Sequence, residues 1–132
     1  MKPLGVIVPI VTPCSRDGQV DVNGLRRVCD DMMQAGCHGI FVNGSTGRGP
    51  WFGRDKRSKI CSAIAGRLDE GVPLLAGCMA AGLEDMLDNA RAMADSGATM
   101  AVVTAPMYFP YSGQELESIF LAFADASPLP VM

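Results

Sequence analysis

The residues best suited to chemistry in this chain are two hydroxyls set among glycines. In Phe41-Val42-Asn43-Gly44-Ser45-Thr46-Gly47-Arg48-Gly49-Pro50, Ser45 and Thr46 stand between Gly44 and Gly47, with Gly49 two residues on. Glycines let a backbone approach a ligand closely and present its N–H groups, and the hydroxyls add donors, so the stretch suits a carboxylate or a phosphate. It lacks the lysine and spacing of a Walker loop and the G-x-G-x-x-G order, so it does not argue for a nucleotide. The competing reading is a turn whose glycines only satisfy positive φ. Tyr108 is the second candidate, held with Tyr111 in a loop framed by Pro106 and Pro110. A tyrosine there can pass a proton, or it can serve as a packing or interface residue.

Other chemistries find little support. His38 is the single histidine and falls at the beginning of an apolar run, the wrong end for a site, which excludes histidine-based triads and most metal sites. Asp30-Asp31, Asp69-Glu70 and Glu84-Asp85 fall on helical segments or at their ends, where solvation or the helix dipole accounts for them. Five cysteines, an odd number without a CxxC pair, suggest neither zinc nor a disulfide framework; they read as reduced thiols, mostly in the core, of a cytoplasmic protein. No cofactor and no metal are expected. With 11 basic and 14 acidic residues the net charge is -3, no reason to expect nucleic acid or an anionic membrane as partner. Arg54, Lys56, Arg57 and Lys59 read as a solvated helix face. Asn43-Gly44-Ser45 matches a glycosylation sequon by chance. The apolar start is broken by Pro3, Pro9 and Pro13, and no run nears the roughly 20 residues of a membrane helix.

The elements that must position Ser45, Thr46 and Tyr108 form one repeated unit. Apolar strands are expected at 4–10, 37–42, 73–77 and 99–104, each apolar nearly throughout, as in a parallel sheet covered on both faces. Amphipathic helices follow them. The first carries Val22, Leu25, Val28, Cys29, Met32 and Met33 after Asp21 as N-cap and before Gly36 as stop. The second carries Ile60, Ile64 and Leu68; the third carries Leu83, Met86, Leu87, Ala90 and Met93 and ends before Gly97. The fourth opens on a capping box, Ser112 to Glu115, and puts Leu116, Ile119, Phe120 and Phe123 on one core stripe. Leu129-Pro130-Val131-Met132 reads as the opening of a fifth strand. Such alternation fits an open doubly wound sheet or a (β/α)8 barrel, and in both the ligand site lies in the loops after the strands.

Four segments coincide in order with a known pattern: Gly5 to Asp21 at the first strand, Gly39 to Pro50 at the second, Gly97 to Pro110 at the fourth, and residues 129–132. With its TP-x(3)-DG-x-[IV]-D opening and its G-[ST]-T-G loop, the chain resembles the dihydrodipicolinate synthase / N-acetylneuraminate lyase family of pyruvate-handling class I aldolases, over essentially all 132 residues. The resemblance implies a (β/α)8 TIM barrel, of which residues 1–132 supply about four βα units and the start of strand five as the N-terminal half of one domain. It implies a lyase that holds pyruvate or a related 2-keto acid as a Schiff base on a lysine, in a homo-oligomer built as a dimer of dimers. Ser45, Thr46 and Gly47 would bind the substrate carboxylate. Ser45 would join a proton relay with Tyr108, which in the family reaches across the dimer interface.

Three departures stand out. Arg48 replaces the family's usual glutamate after G-[ST]-T-G, and Met107 precedes Tyr108 where synthases often have an aromatic residue. The lysines are Lys2, Lys56 and Lys59, none at the C-terminal end of an expected strand. The Schiff-base lysine and a second relay tyrosine are therefore expected beyond Met132, and the 132 residues alone are expected to be inactive. The alternative is a non-catalytic half-barrel that binds or assembles through its open edges. Trp51 and Phe52 read as packing residues under the second helix, or else as site-lining ones.

Overall fold

The computed structural model describes residues 5–132. Leu4, assigned above to the first strand, and Lys2 lie outside the described residues. The chain alternates strands and helices: β1 (Ile7–Pro9), α1 (Val22–Gln34), β2 (Gly39–Val42), a 3-10 turn (Gly49–Trp51), α2 (Arg54–Ala65), β3 (Leu74–Gly77), α3 (Leu83–Asp95), β4 (Met100–Val102) and α4 (Gly113–Ala126). All four strands are parallel, in the order β1-β2-β3-β4, with Val8 opposite Ile40, Phe41 opposite Leu75 and Ala76 opposite Ala101. Residues 130–132 add to β4 as expected of a fifth strand: the Ala101 N–H donates to the Pro130 carbonyl at 2.8 Å, and Met132 N–H returns to the Ala101 carbonyl at 2.9 Å. No helix among the described residues is long and apolar enough to cross a membrane.

β2 and β4 begin later than their apolar runs because the preceding helix stops consume the flanks. Gly36 takes φ 86°, so its N–H reaches the Met33 carbonyl and Cys37 N–H reaches that of Met32. This Schellman closure spends Cys37 on ending α1 rather than on starting β2. Gly97, at φ 92°, closes α3 the same way through Ala98. The expected caps are present. Asp21 Oδ1 accepts from Gly24 N–H at 2.9 Å, and Ser112 with Glu115 forms the capping box.

The core lies between the sheet and its helices: Leu25 and Cys29 from α1, Ile60, Cys61 and Ile64 from α2, Met86, Ala90 and Met93 from α3, against Ile40, Val42, Leu74, Ala76 and Ala101. The stripe read on the fourth helix is only partly core. Phe123 is fully buried, whereas Leu116, Ile119 and Phe120 are half-exposed. The reason is position: among the described residues α4 packs on α3 as its chief helix neighbour, which leaves its other flank uncovered.

The basic face of α2 needs a larger correction. Arg54 and Lys59 are exposed, with Arg54 paired to Asp88 at 2.9 Å, but Arg57 is buried. Lys56 is half-buried, with its Nζ donating to the Gly18 carbonyl at 3.0 Å, and Arg57 points under the loops at the strand ends. His38 is structural, as expected: it is exposed, and its Nδ1 accepts the Val6 N–H at 3.1 Å.

Candidate carboxylate site at the strand ends

Because the strands are parallel, the loops after β1, β2, β3 and β4 gather at one end of the sheet. The loop after β2 is closed by two backbone bonds: Arg48 N–H to the Ser45 carbonyl at 3.0 Å and Gly49 N–H to the Gly44 carbonyl at 2.9 Å. The N–H groups of Ser45, Thr46 and Gly47 lie inside this closure and have no acceptor among the described residues. Ser45 and Thr46 are exposed, Gly44 and Gly47 buried. Three successive unengaged N–H groups in a turn make a concavity for an anion, and two hydroxyls stand beside them.

The glycines are not there for positive φ. The left-handed positions of this loop are Asn43 (φ 58°) and Arg48 (φ 55°), whereas Gly44, Gly47 and Gly49 have ordinary φ. What they lack room for is a side chain. A Cβ on Gly49 would overlap the Asn43 carbonyl group, one on Gly77 of β3 would do the same, and one on Gly47 would sit 2.9 Å from the Ile10 carbonyl oxygen. The plain-turn reading therefore gives way to close packing of the loop on its own strand ends.

Side chains that sequence reasoning passed over hold this loop. Thr12, in the loop after β1, donates its hydroxyl to the Gly47 carbonyl at 2.7 Å. Asn43 is fully buried, which agrees with reading its sequon as chance, and its Nδ2 donates to the Arg57 carbonyl at 3.1 Å and to Met93 Sδ at 3.3 Å. Arg57 donates Nε–H to the Phe52 carbonyl at 2.9 Å and Nη1–H to the Met79 carbonyl at 3.0 Å. Burial pushes its pKa down from the usual arginine value. The advance signs were a polar residue directly after an apolar strand for Asn43 and, for Arg57, its place three residues before Ile60 and seven before Ile64 on the apolar stripe of α2.

Thiols are packed beneath. Cys61 and Cys78 are buried, and desolvation pushes each up to about 12, so both stay protonated at neutral pH. Cys14 is exposed; all five cysteines are free.

Tyr108 stands apart from the cradle. It is 90 % exposed at φ 90°, edge-on to Phe109 with ring centroids 4.8 Å apart, and makes no hydrogen bond to Ser45 among the described residues. It is thus not a packing residue of this chain. Trp51 likewise contradicts the packing reading: it is 78 % exposed, with the Arg48 guanidinium 5.1 Å above its ring, while Phe52 does pack against the core. Arg48 lies over that ring and pairs with no carboxylate among the described residues. Lys56 and Lys59 lie on α2: Lys56 Nζ donates to the Gly18 carbonyl, in the loop after β1, at 3.0 Å, and Lys59 is exposed.

Residues 2–132 match the model of the dihydrodipicolinate synthetase family. The chain is 33% identical over 128 residues to the 4-hydroxy-tetrahydrodipicolinate synthase of Xanthomonas axonopodis pv. citri, covering 97% of this chain and 42% of that protein. Among solved structures, YagE, a prophage protein of the dihydrodipicolinic acid synthase family from E. coli K12 in complex with pyruvate, superposes with a TM-score of 0.89 at 32% identity, over 97% of this chain and 43% of YagE. The chloride-inhibited dihydrodipicolinate synthase of Acinetobacter baumannii complexed with pyruvate gives 0.93 at 27%, over 98% and 45%. The chain thus spans less than half the length of the relatives it matches, and its parallel βα units are the first half of their (β/α)8 barrel. On sequence and fold together, this chain belongs to the dihydrodipicolinate synthetase family.

Proposed function

We propose that the chain contributes the carboxylate-binding half of a Schiff-base lyase or aldolase acting on pyruvate or a related 2-keto acid. The observation that carries this reading is the set of three unengaged N–H groups at Ser45, Thr46 and Gly47, beside two exposed hydroxyls at the C-terminal end of β2. A planar carboxylate accepts two or more such N–H bonds, and charge-assisted bonds of this kind are about twice as strong as neutral ones. Fixing the carboxylate orients the adjacent keto carbon for attack by an amine, which is the entropic part of catalysis. Pyruvate is the ligand in the YagE and Acinetobacter complexes, which supports the same ligand class here.

In this reading the amine is a lysine from sequence C-terminal to Met132. The amine adds to the keto carbon and water leaves. When the bond between the α and β carbons breaks, the iminium takes up its electron pair as an enamine. In the forming direction the iminium loses an α proton, and the enamine's electron pair makes that bond to the aldehyde carbon. Ser45 and Tyr108 carry protons between the carbonyl oxygen, the partner aldehyde and solvent. Tyr108, exposed on its loop, does so in the site of a neighbouring copy, which makes the protein a homo-oligomer working in the cytoplasm. The 132 residues alone are inactive.

Borohydride reduction in the presence of pyruvate, followed by mass spectrometry of the chain the cell makes, tests this. A covalent increment on a lysine outside these residues supports the lyase. No increment on a folded, pyruvate-exposed protein refutes it and favours a non-catalytic half-barrel module.

A further inference from the structure

Arg57 is a buried cation with no carboxylate within salt-bridge distance among the described residues. Burying a charge without a counter-charge is costly, and a methionine would fill comparable space without that penalty. What an arginine adds is a rigid planar fork whose donors fix the separation of the groups they hold. Here those groups are two carbonyls of two different loops. Phe52 closes the loop after β2, which carries Ser45–Gly47, and Met79 belongs to the loop after β3.

The connections continue on both sides. The Arg57 carbonyl accepts from Asn43, two residues before Ser45. The Ala80 carbonyl, next to Met79, accepts the N–H of Met107 at 3.3 Å, the residue before Tyr108. A single line of bonded groups therefore runs from the three unengaged N–H groups through α2 to the Tyr108 loop.

We propose that Arg57 is a positioning residue that sets the carboxylate cradle and the Tyr108 loop at a fixed spacing, through Asn43 and Phe52 on one side and Met79–Ala80 on the other. The proposal rests on reading Ser45–Gly47 as the carboxylate donors. Thr12 makes a useful contrast, because it tethers only the Gly47 carbonyl.

The test uses Arg57→Lys, which keeps the charge and loses the fork, and Arg57→Gln, which loses both, in the protein as the cell makes it. Backbone amide shifts are recorded first without ligand. Both variants should displace the amides of Ser45–Gly47 and of Met107–Tyr108 together, whereas Thr12→Val should displace the first group alone. In turnover with pyruvate, the Arg57 variants should lower kcat and raise KM, with kcat/KM down roughly 10- to 100-fold, and Thr12→Val should raise KM only. Amides displaced at one loop alone, or unchanged kcat/KM in folded Arg57→Lys, would overturn the proposal. If neither Arg57 variant folds, hydrogen exchange in the wild-type protein decides: a common opening for the Gly49 and Met107 amides supports the link, and separate openings refute it. A wild type that forms no pyruvate adduct would refute the lyase reading while leaving the ligand-free amide result to judge Arg57.

Discussion

Two loops at the same end of the sheet are built on opposite terms. The loop after β2 is fixed by this chain's own interior: Asn43 and Arg57 beneath it, Thr12 beside it, and glycines where backbone meets backbone. The loop after β4 presents Met107, Tyr108 and Phe109 to the outside, at 40, 90 and 62 % exposure, with the Met107–Ala80 bond as its tie to the neighbouring loop. The first geometry is internally determined, which suits a cradle that must meet a small ligand at hydrogen-bond range. The second holds an aromatic residue outward in a positive-φ backbone, which suits a residue that acts on something outside its own sheet.

The sharpest way to break the contrast is to put a methyl group where the first loop has none. Gly49→Ala drives a Cβ into the Asn43 carbonyl, backbone against backbone, so chemical denaturation should report a loss of about 3 kcal/mol or more. In the second loop Tyr108→Phe should change stability by no more than about 0.5 kcal/mol. Its effect belongs in turnover instead, where loss of a proton carrier costs on the order of 10²-fold in kcat. Equal stability losses for the two variants would erase the distinction.

Asn43 separates backbone strain from side-chain bonding within the cradle. Asn43→Gly keeps the left-handed φ and loses the bonds to Arg57 and Met93, so it should cost about 2 kcal/mol. Asn43→Ala loses the same bonds and adds a Cβ at φ 58°, about 1 kcal/mol more. Identical melting temperatures for the two would show that φ does not matter there.

These positions also mark how far the sequence could be read. The alternation of strands and helices, the Asp21 and Ser112 caps, and the Gly36 and Gly97 stops were legible because each is a local rule acting over a few residues. The donors of the second loop, which we propose as an anion cradle, were legible for the same reason: they come from one short stretch. Why it needs its glycines was not legible. Gly49 and Gly77 are 28 positions apart and meet at one carbonyl, a fact of three-dimensional packing. Arg57 was misread because a charged residue in a basic run looks solvated until the fold brings two carbonyls to it. Trp51 was misread because an indole usually packs, and here a cation covers it at the surface.

Alkaline titration probes the floor of the cradle. Cys61 and Cys78 have pKa values raised from 9.0 to about 12 by burial, so the folded state holds protons that the unfolded state releases. Stability from these thiols is fully present below pH 9 and is lost as the pH rises from 9 toward 12. Arg57, whose pKa burial lowers from the usual arginine value, acts in the opposite sense. The Cys61→Ala/Cys78→Ala variant should flatten the fall in melting temperature over this range. A fall equally steep in the double variant would assign the pH dependence elsewhere.

A smaller loss of stability than at Gly49 or Asn43 is expected at the N-cap of α1. Asp21→Ala removes the acceptor of Gly24 N–H at the start of α1 and should cost about 1 kcal/mol without altering ligand binding. Any change in pyruvate affinity there would mean the cradle is less self-contained than its bonds imply.

The most direct measurement of the central claim is the response of the Ser45, Thr46 and Gly47 backbone amides to pyruvate, compared with its methyl ester, by nuclear magnetic resonance on the protein as the cell makes it. The account predicts that pyruvate moves these three amides to lower field and that the ester, lacking the carboxylate, does not. Amides that ignore pyruvate, or that respond equally to the ester, would contradict it.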